Sequence, residues 1–185
     1  MSTPKILALS GSLRAGAFST AIAEGLKDAL AGTADVTVFT LNDVPLYNQD
    51  LDTATPPEGV VALRAAIAAA DGVILVSPEY NFSIPGVVKN AIDWASRPYA
   101  KGAIKGKPTL IVTSSPGTTG GVRAQAPVRE ALIGAGARPV AYPHVAIASV
   151  GEKVTGGKLT DKAALDFTLG AVHALLHDIR LLATA

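Results

Sequence analysis

The chain has 185 residues, 16 basic and 15 acidic side chains, and no cysteine. This length is typical of one domain, since domains commonly have about 100–200 residues, so we expect residues 1–185 to form a single domain. The net charge of +1 gives no electrostatic reason to expect binding to nucleic acid or to an anionic membrane. No apolar run approaches the roughly 20 residues of a membrane-spanning helix, and the first residues lack a secretory signal pattern. We therefore expect a soluble, cytoplasmic protein.

Short apolar runs alternate with amphipathic segments along the chain. Apolar runs that end at Gly or Pro are typical of strands buried on both faces of a parallel sheet. Apolar residues spaced by three or four positions predict helices. The runs predict five strands, at 5–10, 36–40, 72–77, 108–113 and 138–142. The periodic segments predict five helices, at 17–31, 59–70, 85–96, 121–134 and 160–182, the last with Thr160 as its N-cap.

Strands that alternate with helices predict a doubly wound α/β fold, with a parallel sheet and helices on both faces. The common order for five strands is 2-1-3-4-5. In such sheets a ligand binds beyond the carboxyl ends of the strands, at the switch point beside strand 1. The loops after strands 1, 3 and 4 are therefore the candidate site.

The loop after strand 1 reads SGSLRAGAFST over residues 10–20 and leads into a helix. A helix N-terminus offers free N–H groups and a partial positive charge, and Arg14 can bind a phosphate with two hydrogen bonds. The loop therefore predicts a phosphate site. It is not a Walker A loop, because Ala17 and Phe18 stand where Lys and Ser or Thr are required, and it lacks G-x-G-x-x-G. The alternative is an ordinary turn with a solvated Arg14.

The loop after strand 3 continues into a helix and reads PEYNFSIPGVVKNAIDW over residues 78–94. Its two prolines fix the backbone, so the loop can present N–H groups and an apolar wall to a flat heterocycle. The alternative is that Tyr80 and Phe82 only pack at the rim. Trp94, on the helix, is expected in the core or at a subunit interface.

The loop after strand 4 reads SSPGTTGG over residues 114–121. Its glycines let the backbone approach a ligand closely, and its N–H groups can stabilise negative charge. Arg123 follows, either as a ligand contact or as a helix-surface or subunit-contact residue. His173 and His177 are four residues apart and could share a metal, but no third ligand is apparent, so we expect a solvated or packed pair.

The three loops together resemble those of the NADPH-dependent FMN reductase family. Residues 10–19 are similar to the family's GSLR phosphate loop, and residues 78–94 to its PEYN-S-PG-KNAIDW signature. Residues 114–121 match its third flavin loop. The resemblance covers about residues 4–180 and is strongest to the chromate and quinone reductase branch.

The resemblance implies a flavodoxin-like fold that binds FMN without a covalent link and uses NADPH or NADH as electron donor. The family often has Ser at position 17 and Asn at position 19, where this chain has Ala17 and Ser19, which predicts weaker binding of the phosphate. The resemblance also implies, position by position, which residues contact FMN. Those at the phosphate end are Ser10, Ser12, Leu13, Arg14, Ser19 and Thr20. Those that line the isoalloxazine ring are Pro78, Glu79, Tyr80, Asn81 and Ser83, and those on the other side of the ring are Ser115, Gly117 and Gly120.

The function that the resemblance implies is transfer of hydride from NAD(P)H to bound FMN and then of two electrons to a small acceptor. Quinones, chromate and azo compounds are the acceptors expected, in a ping-pong cycle without a catalytic side chain. One alternative is a reductase that releases reduced FMN to a partner monooxygenase. Another is a flavodoxin-type electron carrier, which the near-neutral charge and Arg14 disfavour. A homodimer or homotetramer is expected, with Trp94, Tyr99 and the helix at 84–97 at the contact.

Overall fold

A computed structural model describes residues 3–184 of the chain, and a parallel β-sheet lies at its centre. The strand order is β2-β1-β3-β4-β5, and β6 also pairs with β4. All of these pairings are parallel, so the predicted order is confirmed. The strands are β1 (Lys5–Ser10), β2 (Asp35–Thr40), β3 (Gly72–Pro78), β4 (Pro108–Ser114), β5 (Arg138–Pro139) and β6 (Val145–Ile147).

Helices cover both faces of the sheet, because strands β1, β3 and β4 direct apolar side chains to both faces. In β1, Ile6 and Ala8 pack in one core layer, whereas Leu7 and Leu9 pack in the other. The first layer contains side chains of α1 and α5, and the second contains those of α2, α3 and α4. The helices are α1 (Phe18–Ala29), α2 (Glu58–Ala69), α3 (Gly86–Ala95), α4 (Gln125–Gly134) and α5 (Lys162–Ala183).

The fifth strand differs from the single run predicted at 138–142. It is divided into β5 and β6, which pair with opposite ends of β4. The Val140 N–H still donates to the Thr109 carbonyl at 3.0 Å, but Pro139 and Pro143 have no backbone N–H to donate, and no regular strand joins β5 to β6. The buried Gln125 side chain reaches the point where pairing resumes: its Nε2 donates to the Val145 carbonyl at 3.0 Å.

Helix starts differ from the predictions where a turn or a side chain sets them. Helix α1 begins at Phe18, one residue later than predicted. A separate 3₁₀ turn at Val122–Ala124 precedes α4. Asp161, not Thr160, is the N-cap of α5, because its carboxylate accepts the Ala164 N–H at 2.8 Å. A two-stranded hairpin, β7 (Val154–Thr155) and β8 (Lys158–Leu159), lies before α5.

Trp94 lies in the core, which is one of the two positions considered for it. Its side chain is fully buried, so it does not form a subunit contact, and that part of the prediction is wrong. The indole Nε1 donates to the Pro45 carbonyl at 2.8 Å, and the Tyr47 ring packs edge-on with centroids 4.8 Å apart. Trp94 thereby fastens the long segment at 41–57 to helix α3.

Candidate functional site

The loops after β1, β3 and β4 meet at the carboxyl edge of the sheet. They enclose a cavity of about 350 Å³. This is the place that the switch-point rule predicts for a ligand. The residues that line the cavity are Ser12, Arg14, Phe18, Ser19, Pro78, Tyr80, Ser114 and Pro116.

The loop after β1 exposes a cation to the cavity. The Gly11 N–H donates to the Val76 carbonyl at 2.7 Å, which ties the start of the loop to β3. The Arg14 guanidinium carbon lies 5.3 Å from the centroid of the Phe18 ring. Across residues 3–184, no carboxylate forms an ion pair with Arg14. The charge of Arg14 is therefore available to an anion.

Ser19 provides a second indication of an anion at this position. Its side chain is buried and lines the cavity, and its Oγ has no hydrogen-bond partner within the described residues 3–184. An unsatisfied buried hydroxyl is unfavourable and needs an explanation. The N-cap of α1, Ala17, also provides no side-chain hydrogen bond to the first turn. A free hydroxyl, a free cation and an uncapped helix start together fit the phosphate of FMN.

Three residues predicted to contact the phosphate do not line this cavity. The hydroxyls of Ser10 and Thr20 bond to each other at 2.8 Å, and Ser10 is completely buried beneath the loop. Leu13 is exposed, and its carbonyl accepts from Asn42 Nδ2 at 3.3 Å. These contacts shape the loop, and direct binding of FMN by Ser10, Leu13 and Thr20 stays a prediction.

The loop after β3 forms a tight turn at the cavity mouth. The backbone groups of Tyr80 and Ser83 exchange two hydrogen bonds, each 3.0 Å long. Asn81 and Phe82, between them, have φ values of 50° and 63°. Pro78 and Tyr80 line the cavity, whereas Asn81 and Ser83 lie exposed in the turn.

The Glu79 side chain is engaged by Arg123. The Glu79 carboxylate accepts the Arg123 backbone N–H at 2.9 Å and its Nη1 at 3.1 Å. Glu79 was expected near the flavin or at a subunit contact, and Arg123 as a ligand or surface residue. The structure pairs the two across the loops after β3 and β4, and a contact of either residue with the flavin or with a second subunit stays a prediction.

The loop after β4 is fixed by its backbone. The Ser115 N–H donates to the Ile147 carbonyl, and the Gly117 N–H donates to Ser115 Oγ, both at 3.1 Å. Gly120 has a φ of 62°, and a Cβ there would lie 2.7 Å from the Ala146 carbonyl carbon, so only glycine fits. Ser115, Gly117 and Gly120 thus lie in one rigid loop beside the cavity.

The sequence reasoning missed three cavity residues. Ser114 is the last residue of β4 and Pro116 lies in the same loop, so the carboxyl-edge rule contained a signal for both. Phe18 is the first residue of α1, and no local pattern predicted that its ring would lie under Arg14.

Other chemistries find little support in the structure. His173 and His177 are both exposed on α5. Within residues 3–184 there is no group of three His, Cys, Asp or Glu side chains that could hold a metal. No helix in the same range is long and apolar enough to cross a membrane.

The substitution Ser19→Ala should weaken FMN binding without lowering the stability of the flavin-free protein. We expect FMN binding to weaken by about 3- to 10-fold, since one hydrogen bond to the phosphate is lost. Unfolding of the flavin-free protein by urea should show unchanged or higher stability, because a buried unsatisfied hydroxyl is removed. Thr20→Val provides the contrast: it leaves Ser10 without its partner and should lower stability by about 1 kcal/mol. A stability loss in Ser19→Ala equal to that in Thr20→Val would contradict this interpretation.

Comparison with known proteins places the chain in a family. The sequence model of the NADPH-dependent FMN reductase family matches residues 4–152. A quinone reductase of Escherichia coli is 37% identical over 174 residues, which cover 92% of each chain. A quinone reductase of Pseudomonas putida is 42% identical over 123 residues, which cover 66% of each chain.

A solved structure agrees with this placement. The flavoenzyme NAD(P)H:acceptor oxidoreductase FerB from Paracoccus denitrificans superposes with a TM-score of 0.86 at 34% identity. The superposition covers 96% of this chain and 98% of that one. The flavodoxin-like fold is thereby confirmed. The chain therefore belongs to the NADPH-dependent FMN reductase family, oxidoreductases that use FMN as cofactor and NAD(P)H as electron donor.

Proposed function

We propose that this protein is an FMN-dependent NAD(P)H oxidoreductase whose acceptor is a quinone. The observation that supports this most strongly is the cavity at the carboxyl edge, which is lined by the Ser19 hydroxyl and the Arg14 cation, both without a side-chain partner among residues 3–184. The quinone reductases of E. coli and P. putida support the choice of acceptor.

We assign the phosphate end of FMN to the loop after β1. Ser12, Arg14 and Ser19 line the cavity there. We assign the flat ring system to the space between the other two loops. Pro78 and Tyr80 form one wall, and the backbone around Ser115 and Gly117 forms the other. The remaining predicted residues contribute through the shape of these loops.

When bound, FMN supplies the redox chemistry, taking a hydride from a reduced nicotinamide and giving two electrons to an acceptor. The overall change is NAD(P)H, a proton and a quinone giving NAD(P)⁺ and a hydroquinone. This chain's residues bind and orient the reactants, and no side chain is needed as nucleophile or general base. We expect negative charge on the ring edge to be stabilised by N–H groups of the loop after β4 other than those of Ser115 and Gly117, which are bonded within the protein.

The exposed aromatic rim supports a flat, apolar acceptor. Tyr80 is 51% exposed and Phe82 72% exposed at the cavity mouth. Such a rim can pack against a nicotinamide or a quinone in turn. We therefore propose a ping-pong cycle, in which donor and acceptor use the same wall. Chromate and azo compounds are further acceptors under this proposal.

The residue at position 17 supports a second candidate function. Ala17 has no hydroxyl that could donate to the phosphate, so the phosphate has one donor fewer than in relatives with Ser at that position. Weak retention of FMN would suit a reductase that releases reduced flavin to a monooxygenase. A flavodoxin-type carrier is disfavoured by the net charge of +1.

We further propose a single domain that acts in the cytoplasm as a homodimer or homotetramer. Tyr99 is 83% exposed close to the end of α3 and is the contact residue that the exposure supports. Light scattering of the wild type and of Tyr99→Ser tests the assembly: the proposal expects a dimer or tetramer that Tyr99→Ser weakens. A wild-type monomer would contradict the assembly.

Rapid-mixing measurements of the two half-reactions test the proposed function. Under the proposal, FMN stays with the protein on gel filtration, NADPH bleaches it, and benzoquinone restores the colour with hydroquinone as product. Flavin that is lost on the column, while the protein still reduces added FMN, would favour the flavin-releasing alternative. Flavin that stays bound but does not react with NADPH or NADH would indicate an electron carrier.

A further inference from the structure

The turn at 80–83 has an unusual residue in a left-handed position. Two-residue turns with positive φ at both central residues favour Asn followed by Gly. Asn81 meets the first preference, but the second position holds Phe82, with a φ of 63°. A side chain with a Cβ is disfavoured in this region, and a bulky one more so. The turn therefore needs support from outside itself.

Burial does not provide this support, because Phe82 is 72% exposed. The ring instead lies against Arg123, whose guanidinium carbon is 4.3 Å from the ring centroid. A guanidinium within about 6 Å of an aromatic face is attracted to it. Arg123 is thus the contact that holds Phe82 in place on the outer side of the turn.

Arg123 is itself anchored to the residue before the turn. Its N–H and Nη1 donate to the two carboxylate oxygens of Glu79, at 2.9 and 3.1 Å. The Glu79 side chain is only 9% exposed, so the pair is partly shielded from water. Gly121, two residues before Arg123, has a φ of 75°, a left-handed conformation that favours glycine.

We propose that Arg123 is a positioning residue that fixes the turn at 80–83, and through it the wall of the cavity formed by Pro78 and Tyr80. Arg123 contacts the turn at two places: it bonds to Glu79, the residue before the turn, and it stacks on Phe82, within the turn. The expected effect of Arg123 on FMN binding rests on the proposed function, whereas its effect on the conformation of the turn does not.

A double-mutant cycle with Arg123→Ala and Phe82→Gly tests the proposal. Glycine at position 82 has no penalty for positive φ, so a turn that contains it needs no stacked guanidinium. We expect Arg123→Ala to weaken FMN binding by about tenfold in the wild-type background and by about twofold in the Phe82→Gly background. The midpoint potential of bound FMN should shift in Arg123→Ala and return towards the wild-type value in the double variant.

Hydrogen exchange of the flavin-free protein gives a readout that is independent of cofactor binding. The amides of Tyr80 and Ser83 should exchange about tenfold faster in Arg123→Ala and recover in the double variant. Arg123→Lys keeps a charge for Glu79 but loses the planar stack, so it should be intermediate. Arg138→Ala, which removes an exposed cation near the other end of the sheet, is the matched control and should change neither readout.

An equal loss of FMN affinity on Arg123→Ala in the wild-type and Phe82→Gly backgrounds would overturn the proposal, because the contact between Arg123 and Phe82 would then have no effect on the turn. Unchanged exchange of Tyr80 and Ser83 in Arg123→Ala would overturn it as well. A wild-type protein that binds no FMN would instead reject the proposed function, and the exchange rates would still decide the role of Arg123.

Discussion

Replacing Arg14 by Met should weaken FMN binding by about 10- to 100-fold, which is the usual cost of losing a charge-assisted hydrogen bond to a phosphate. Arg14 lines the cavity, is held over Phe18, and forms no ion pair across residues 3–184. Its removal therefore leaves no carboxylate unpaired. Fluorescence titration of the flavin-free variant with FMN measures the change in affinity, and urea unfolding should show little change in stability.

Two further variants identify the cause of this loss. Lys27→Met removes an exposed cation from the last turn of the same helix and should bind FMN as the wild type does. Arg14→Lys keeps the charge but loses the planar fork, so it should be intermediate. An affinity within twofold of wild type in Arg14→Met would show that the phosphate does not bind at this loop.

Trp94→Ala should lower the free energy of unfolding by about 3–5 kcal/mol, since it removes a large, fully buried aromatic side chain. It also removes the donor to the Pro45 carbonyl and the packing partner of Tyr47. Urea unfolding followed by circular dichroism measures the change. The loss should be visible as a lower midpoint with a similar slope.

Trp94→Phe is the matched control because it keeps an aromatic ring in the same space. The Pro45 carbonyl still accepts from Asn90 Nδ2 at 2.9 Å, so we expect a loss of only about 1–2 kcal/mol. A Trp94→Ala protein with wild-type stability but a changed oligomeric state would contradict the placement of Trp94 in the core.

The sheet could be predicted because its central strands have a strong local signal. Strands β1, β3 and β4 are mainly apolar runs bounded by Gly, Pro or Ser, and their order follows from general rules for doubly wound folds. The fifth strand could not be predicted as it stands. Its division depends on Pro139, on Pro143 and on the Gln125 amide that reaches Val145, and only the last of these is a tertiary contact.

The site was predictable to the extent that its residues are neighbours in sequence. Arg14, in the loop after β1, and Ser19, in the first turn of α1, are only five positions apart, and the motif after β3 contains Pro78 and Tyr80. The Glu79–Arg123 pair joins residues 44 positions apart, and no spacing rule connects them. The bond between the Ser10 and Thr20 hydroxyls is similar, because only the folded loop shows that they satisfy each other.

The most direct test is the visible spectrum of the purified protein, recorded without oxygen after reconstitution with FMN and gel filtration, before and after one equivalent of NADPH. From the proposed function we expect a yellow protein that bleaches on addition of NADPH, together with a colourless or weakly coloured Arg14→Met variant. A wild-type protein that retains no flavin and does not oxidise NADPH when FMN is added would contradict it.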